Sequence, residues 1–345
     1  MNDRARLASV DALRGLTVAA MLVVNDPGEW GHVYPPLEHA AWHGCTPTDL
    51  IFPLFLFIVG VSIALAGPVT TRAVVWRALR IVALGLLLHA AAHWAMGTPE
   101  FRPLGVLQRI GICYGCVGLL ALHARPRTQW LVFAVLLIGY GALLAWGGPL
   151  TKAGSLASRF DTALLGRHAY EFDPVTGHGH DPEGLLATLP AIATTLLGVR
   201  AGAWLRYGSV RTLWAAVGVA LLLGAVWAFW QPLNKQLWTP SFVLWTGGWS
   251  LAALALSHGL IDRLGAPPLG RALGVNAIAA YSGAWLMVCV LEGLHWGAPL
   301  YAQVFAPLTP ALGPDGASLA YALAFTATWW VLMRVLAQRG VRIRI

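Results

Sequence analysis

Asn25, Asp26, His32, Glu38, His39, His43 and Asp49 follow one another over a short stretch near the start of the chain. Histidine changes charge near neutral pH, and one oriented by a carboxylate can take a proton from an amine or hydroxyl, or itself accept an acyl group. The residue types alone do not say which histidine is used, since each also suits an ordinary hydrogen-bonded position at an interface. A metal site is the rival reading, because His39 and His43 are four apart and His178 and His180 follow later. No H-E-x-x-H or cysteine-rich spacing accompanies them, so no metal is expected.

A second polar concentration comprises Asp161, Arg167, His168, Tyr170, Glu171, Asp173, His178, His180, Asp181 and Glu183. An ordinary connection does not need so many convergent hydrogen-bonding groups and an aromatic face, whereas a sugar-like ligand does. Asp11 and Arg14 lie three apart, and on one helical face they form an ion pair. Cys113 and Cys116 have a C-x-x-C spacing inside an apolar run, where small packing residues are the plain reading. With Cys45 and Cys289 they make no extracellular framework, so no disulfide is expected.

The elements that hold these groups are membrane helices. Of 345 residues, 57% are hydrophobic and 11% charged, too apolar a mixture for a soluble domain. Lipid admits only helices or closed barrels, and the runs here are apolar on all sides, as in Leu131–Leu144 and Val217–Trp230. The expected fold is therefore an all-α polytopic bundle of about ten spans, each of roughly 20 residues. They fall near 12–28, 50–67, 76–95, 106–123, 129–147, 184–204, 212–231, 240–259, 273–292 and 317–337. The first has no small-residue cleavage site behind it and reads as a retained span.

Ten spans put both termini on one side. That side holds Arg4, Arg6, Arg14, Arg72, Arg77, Arg80, Arg125, Arg127, Arg200, Arg206, Arg211, Arg263, Arg271, Arg334, Arg339, Arg342 and Arg344, which is 17 of the 23 basic residues. Lysine and arginine accumulate in the cytoplasm, so both termini are expected there. Only Arg102, Arg109, Lys152, Arg159, Arg167 and Lys235 face outward. Trp30, Trp42, Trp94, Trp230, Trp238 and Trp296 fall near outer ends and read as interfacial anchors. The net charge of +8 is spread over loop ends with no aromatic-rich basic module, so topology explains it and nucleic acid is not an expected partner. No internal repeat stands out, and residues 1–345 read as a single domain. Its outer loops, about 27–47 and 148–185, contribute the site, while a third, about 293–316, packs over the bundle.

The stretch Ser9-Val-Asp-Ala-Leu-Arg-Gly15, then Asn25, then His39-Ala-Ala-Trp-His-Gly-Cys-Thr-Pro-Thr-Asp49 and on to Pro53, resembles the membrane region of the heparan-α-glucosaminide N-acetyltransferase family. Gly105–Ile112, His180-Asp-Pro-Glu-Gly184, Leu197–Gly202, Asn234-Lys-Gln-Leu-Trp238 and Gly274-Val-Asn-Ala277 resemble later motifs of that family in the same order. The resemblance implies an acyltransferase that carries an acetyl group from cytoplasmic acetyl-CoA to the amine of a terminal glucosamine across the membrane. In a bacterium the far side is the periplasm, and the chain is then a multi-pass protein of the inner membrane.

By the same resemblance His39 is the active-site histidine, acting as base or transient acetyl carrier. Asp49 holds its ring, and Asn25 bonds the thioester or acceptor. Arg14, Arg77 and Arg80 are placed to meet CoA phosphates, and His180, Asp181, Glu183 and Asn276 are the acceptor-binding candidates. A homodimer in membrane lipid is the assembly it suggests. The animal enzyme carries a lumenal domain ahead of its membrane region and a histidine where Ala284 stands here. Heparan itself is therefore not carried over, and a small amino sugar or envelope glycan is the expected acceptor. The alternative of a different class is an amino-sugar permease, although the repeated halves and matched broken helices of transporters are not seen.

Overall fold

The computed structural model describes residues 7–343, so Arg4, Arg6 and Arg344 lie outside the described residues. Ten long helices occupy the ten expected stretches. They are α1 (Ala8–Asn25), α2 (Ile51–Leu65), α3 (Thr71–Met96), α4 (Val106–His123), α5 (Pro126–Trp146), α7 (Leu185–Arg206), α8 (Val210–Trp227), α9 (Pro240–Ser257), α11 (Ala277–Gly293) and α13 (Thr309–Gln338). Short helices α6 (Leu156–Leu165), α10 (Arg271–Val275) and α12 (Gly297–Leu300) lie in the connections. Eight helical stretches are long and apolar enough to cross a membrane, and the chain is a helical membrane protein. Of the remaining two long helices, α11 has only 17 residues. The other, α9, carries Thr246, Gly247, Gly248 and Ser250, all buried inside the bundle where packing replaces lipid contact.

Two refinements concern the loops. The second is not irregular: it contains α6 and a hairpin of strands β1 (Glu171–Asp173) and β2 (His178–His180), paired Glu171 to His180 and Asp173 to His178. The third continues from α12 through helical turns into α13, which is broken at Gly313, where φ is 73° and Pro314 follows.

The centre of the bundle is α7 packed on α2, with 78% of the α7 span buried. Small residues permit this closeness. A Cβ at Gly60 or Gly198 would collide with the facing carbonyl of Thr195 or Phe57, and Gly202 faces Val61 in the same way. In lipid, where apolar area gives little drive to associate, such close backbone approach is what holds helices together. The pair α1 and α10 repeats the device, with Gly15 against Gly270 and Gly274 against the carbonyl of Asp11. Ala284 sits in the core at 2% exposure.

Both ends of the described chain lie at one end of the bundle. Ser9 donates to Asp262 just beyond α9, and the Asn276 amide donates to the Val341 carbonyl at 3.2 Å and accepts from the Ile343 amide at 2.9 Å. This arginine-rich end is opposite the end that carries Asn25, His39 and the hairpin. Trp30, Trp94, Trp230 and Trp296 are exposed, as interfacial anchors are. Trp238 is not an anchor: it is 1% exposed, packed edge-on against Phe52 and Phe242, with its indole N–H donated to Thr194 Oγ1.

Candidate functional site

The first loop folds back so that His39 meets Asp49, ten residues later. A helical turn at Thr48–Leu50 leads straight into α2 and fixes the buried Asp49 carboxylate at its start. Its Oδ2 accepts from the amides of Ala40 and Thr46 and from the Thr46 hydroxyl, at 3.0–3.1 Å. Its Oδ1 lies 2.8 Å from His39 Nδ1. A carboxylate on that nitrogen places the ring proton on Nδ1 and leaves the lone pair on Nε2, the atom that can act as base or nucleophile. The His39 side chain is 46% exposed.

A third partner reaches the ring from the far end of the chain. Lys235 Nζ lies 3.0 Å from Nδ1 and 3.1 Å from Nε2 of His39, and 3.7 Å from Asp49 Oδ1. At nearly equal distances from both ring nitrogens, Nζ lies over the ring and not along the in-plane lone pair of Nε2, which stays open to an incoming group. Burial pushes the Lys235 ammonium down from the usual lysine range, and the carboxylates of Asp49 and Glu183 oppose that shift. Burial beside Asp49 also raises the Cys45 thiol to about 12, so it stays an unreactive thiol.

Behind this group lies a charged layer. Arg102 donates to both oxygens of Asp181, at 3.0 and 2.6 Å, and also to Glu183, with its guanidinium 4.3 Å from the Tyr170 ring centre. Burial alone would raise the Glu183 carboxyl, but Arg102 and Arg109 hold it below the usual range. Asp161 is 1% exposed and accepts from the Leu185 amide at 3.0 Å, capping the start of α7, where an anion is favoured by the helix dipole. Burial pushes its carboxyl up to about 7. His180, 3% exposed, bonds Ser158 through Nδ1 at 2.8 Å and packs 5.3 Å from Trp42, and burial lowers its basicity. Arg109, also 1% exposed, donates to the Gly184 carbonyl at 3.1 Å and lies 5.1 Å over Trp238.

Of the residues singled out from sequence, His39 and Asp49 are joined directly, and His180, Asp181 and Glu183 lie at the same end. Asn25 closes α1 at that end and is exposed, and no hydrogen bond joins it to His39 or Asp49 among the described residues. Asn276 is not brought to the site. It lies at the arginine end, where both ends of its amide hold the C-terminal segment. Arg14 bonds Asp11, the Gly274 carbonyl and Ser62, a clamp within the bundle. Arg77 and Arg80 stand exposed on α3, Arg77 over Tyr114. His39 and His43 turn to different partners, Asp49 and Asn234, and no three metal-binding side chains gather among the described residues.

Lys235, Arg102 and Arg109 were missed as site residues, although a signal was present. They are three of the six basic residues that the expected topology leaves on the outer side, apart from the seventeen that the charge bias explains. A cation that topology does not account for calls for another reason to be there.

The family model described as heparan-alpha-glucosaminide N-acetyltransferase, catalytic, matches residues 6–229. Heparan-alpha-glucosaminide N-acetyltransferase of Homo sapiens is 28% identical, covering 81% of this chain and 52% of its own length. The protein of the same name from Mus musculus is 27% identical, covering 81% and 53%. The chain thus spans about half the length of the curated relatives it matches. With His39, Asp49 and the hairpin layer all inside the matched region, the chain belongs to the family of the heparan-alpha-glucosaminide N-acetyltransferase catalytic region.

Proposed function

We propose that this protein is a transmembrane acetyltransferase that moves an acetyl group from cytoplasmic acetyl-CoA to the amine of an amino sugar or envelope glycan at the periplasmic face of a bacterial inner membrane. The observation that carries the reading is the His39 imidazole held between the Asp49 carboxylate and the Lys235 ammonium at the end opposite the arginines. A base or acyl carrier needs a fixed ring with one free lone pair, and the Asp49 bond to Nδ1 supports this by leaving Nε2 open. Asp181 and Glu183, at the same end, hold Arg102 in a charged layer that in this reading supports the acceptor site.

The donor fits the two-ended layout. A narrow apolar crevice lined by Val18, Met21, Phe55, Ile110, Ile278 and Tyr281 lies between α1, α2, α4 and α11. Val18 and Met21 are one to two turns along α1 from Arg14, and Phe55 is about one turn beyond the approach to Asp49. In this reading the crevice widens to take the uncharged pantetheine arm, while arginines such as Arg77 and Arg80 hold the phosphates outside the lipid. The charged nucleotide then never crosses the membrane.

The test incubates purified protein in detergent with labelled acetyl-CoA and a panel of hexosamines. The wild type labels the amine of a glucosamine-type acceptor, and His39→Ala lowers the rate by about 10²–10⁴-fold, the usual worth of a positioned base. If no acceptor is labelled while sealed vesicles accumulate sugar equally with either protein, the chain is a permease and the reading is wrong.

A further inference from the structure

Resting on the transfer reading above, we infer that Lys235 is the oxyanion-holding group of the reaction, an ammonium delivered to the acetyl carbonyl by the turn between α8 and α9. Three features of the turn support this. It is docked on the histidine loop, with the Gly44 amide donating to the Leu233 carbonyl at 2.8 Å and the Asn234 amide beside His43. It is internally braced, because the fully buried Asn234 accepts from the Leu237 amide at 2.7 Å and its own amide donates to Thr239 Oγ1. Finally, Trp238 holds φ of 53°, a left-handed conformation unusual for a bulky residue and stable only where its surroundings over-determine it. Its buried contacts with Phe52, Phe242 and Thr194 do so.

The position matches the chemistry. When Nε2 of His39 attacks the thioester carbon, its lone pair forms the new C–N bond and the carbonyl π pair moves to oxygen. That oxygen is two bonds from Nε2, within reach of an ammonium now 3.1 Å from the same nitrogen. Lys235 therefore has only to turn its ammonium from over the ring toward the developing oxyanion, which is where fixed charge contributes most to a rate. Collapse returns the pair to the carbonyl and expels the CoA thiolate. The acceptor amine then attacks the same carbon, the same oxygen again takes up charge, and collapse returns the C–N pair to Nε2. Nε2 takes the proton released by the new amide nitrogen and passes it to solvent. The Asp49 carboxylate 3.7 Å away favours the charged form of the lysine against the effect of burial.

The experiment compares steady-state kinetics of the purified full chain in detergent with Lys235→Met, Lys235→Gln and Lys235→Arg, alongside thermal unfolding and intact-peptide mass measurement after donor alone. The expected result is a kcat for Lys235→Met and Lys235→Gln lower by about 10²–10³-fold, with both KM values within about threefold of wild type and an unchanged unfolding temperature. Lys235→Arg, which keeps a donor cation, regains part of the rate. A kcat within about threefold of wild type in both neutral variants overturns the inference, as does a loss confined to KM. So does acetylation of Lys235 itself by donor alone, which would make it an acceptor. Wild-type protein that acetylates no amine sinks the transfer reading and this role together, whereas active wild type beside an equally active Lys235→Met sinks the lysine role alone.

Discussion

At the scale of single residues, the site is a competition for one imidazole. Asp49 fixes the Nδ1 proton at the ring edge and the Lys235 ammonium stands 3.0–3.1 Å from both ring nitrogens, so the two partners have separate tasks. Replacing Asp49 by Asn keeps the shape but offers an amide where the ring needs an acceptor, which lets the ring turn over or change tautomer. Asp49→Asn is expected to lower kcat by about 10²–10⁴-fold while leaving the protein folded, and steady-state rates beside an unfolding curve check both halves. Asp161 tests the charged layer by pH. Its carboxyl rises from 3.8 to about 7 in the folded chain, so the folded state binds the proton more tightly than the unfolded one. Its contribution to stability is then greatest below pH 3.8 and is lost as pH rises toward 7. Wild type should lose more thermal stability than Asp161→Asn between pH 5 and pH 8, and parallel curves for the two would refute the shift.

At the scale of elements, the site depends on glycines that carry no chemistry. The α2 helix supplies Asp49 at its approach and rests on α7 through Gly60, Gly198 and Gly202, where backbones meet without side chains between them. Gly198→Val puts two methyl groups into the Phe57 carbonyl, so the helices must separate. The expected outcome is loss of monodisperse protein in detergent, or of activity at full yield, measured by size-exclusion and acetyl transfer. A fully active, stable variant would show that α2 does not depend on that contact. The turn 231–239 is the other critical element, because it converts a distant stretch of chain into a wall of the histidine site.

At the scale of the whole molecule, the two ends differ in kind. One collects Arg14, Asn276 and both ends of the described chain, and the other carries His39, Asp49 and the hairpin layer. The proposed direction of transfer requires the hairpin to be periplasmic. Val175, 92% exposed at its tip, offers a reporter: Val175→Cys should react with a membrane-impermeant maleimide in intact cells, and Arg339→Cys only after permeabilisation. Native Cys45 should stay silent in both, because its thiol is held near 12. Reversed labelling would turn the donor side outward and exclude cytoplasmic acetyl-CoA.

Much of this was legible in the sequence, because composition and helix-length apolar runs report directly on lipid as solvent. The ten helices, the pairing of Asp11 with Arg14, and the polar density of residues 161–183 need only local spacing or hydropathy to be seen. The choice of His39 required family resemblance, since spacing does not distinguish it from His32 or His43. Tertiary structure alone decided which partners meet. Lys235 is 196 positions from His39 and Arg102 is 79 from Asp181, and no periodicity connects such distances. The same holds for Asn276, whose motif was visible but whose place at the arginine end follows from how α10 and α11 pack. Local sequence determines what a segment can be, and long-range packing determines what it stands beside.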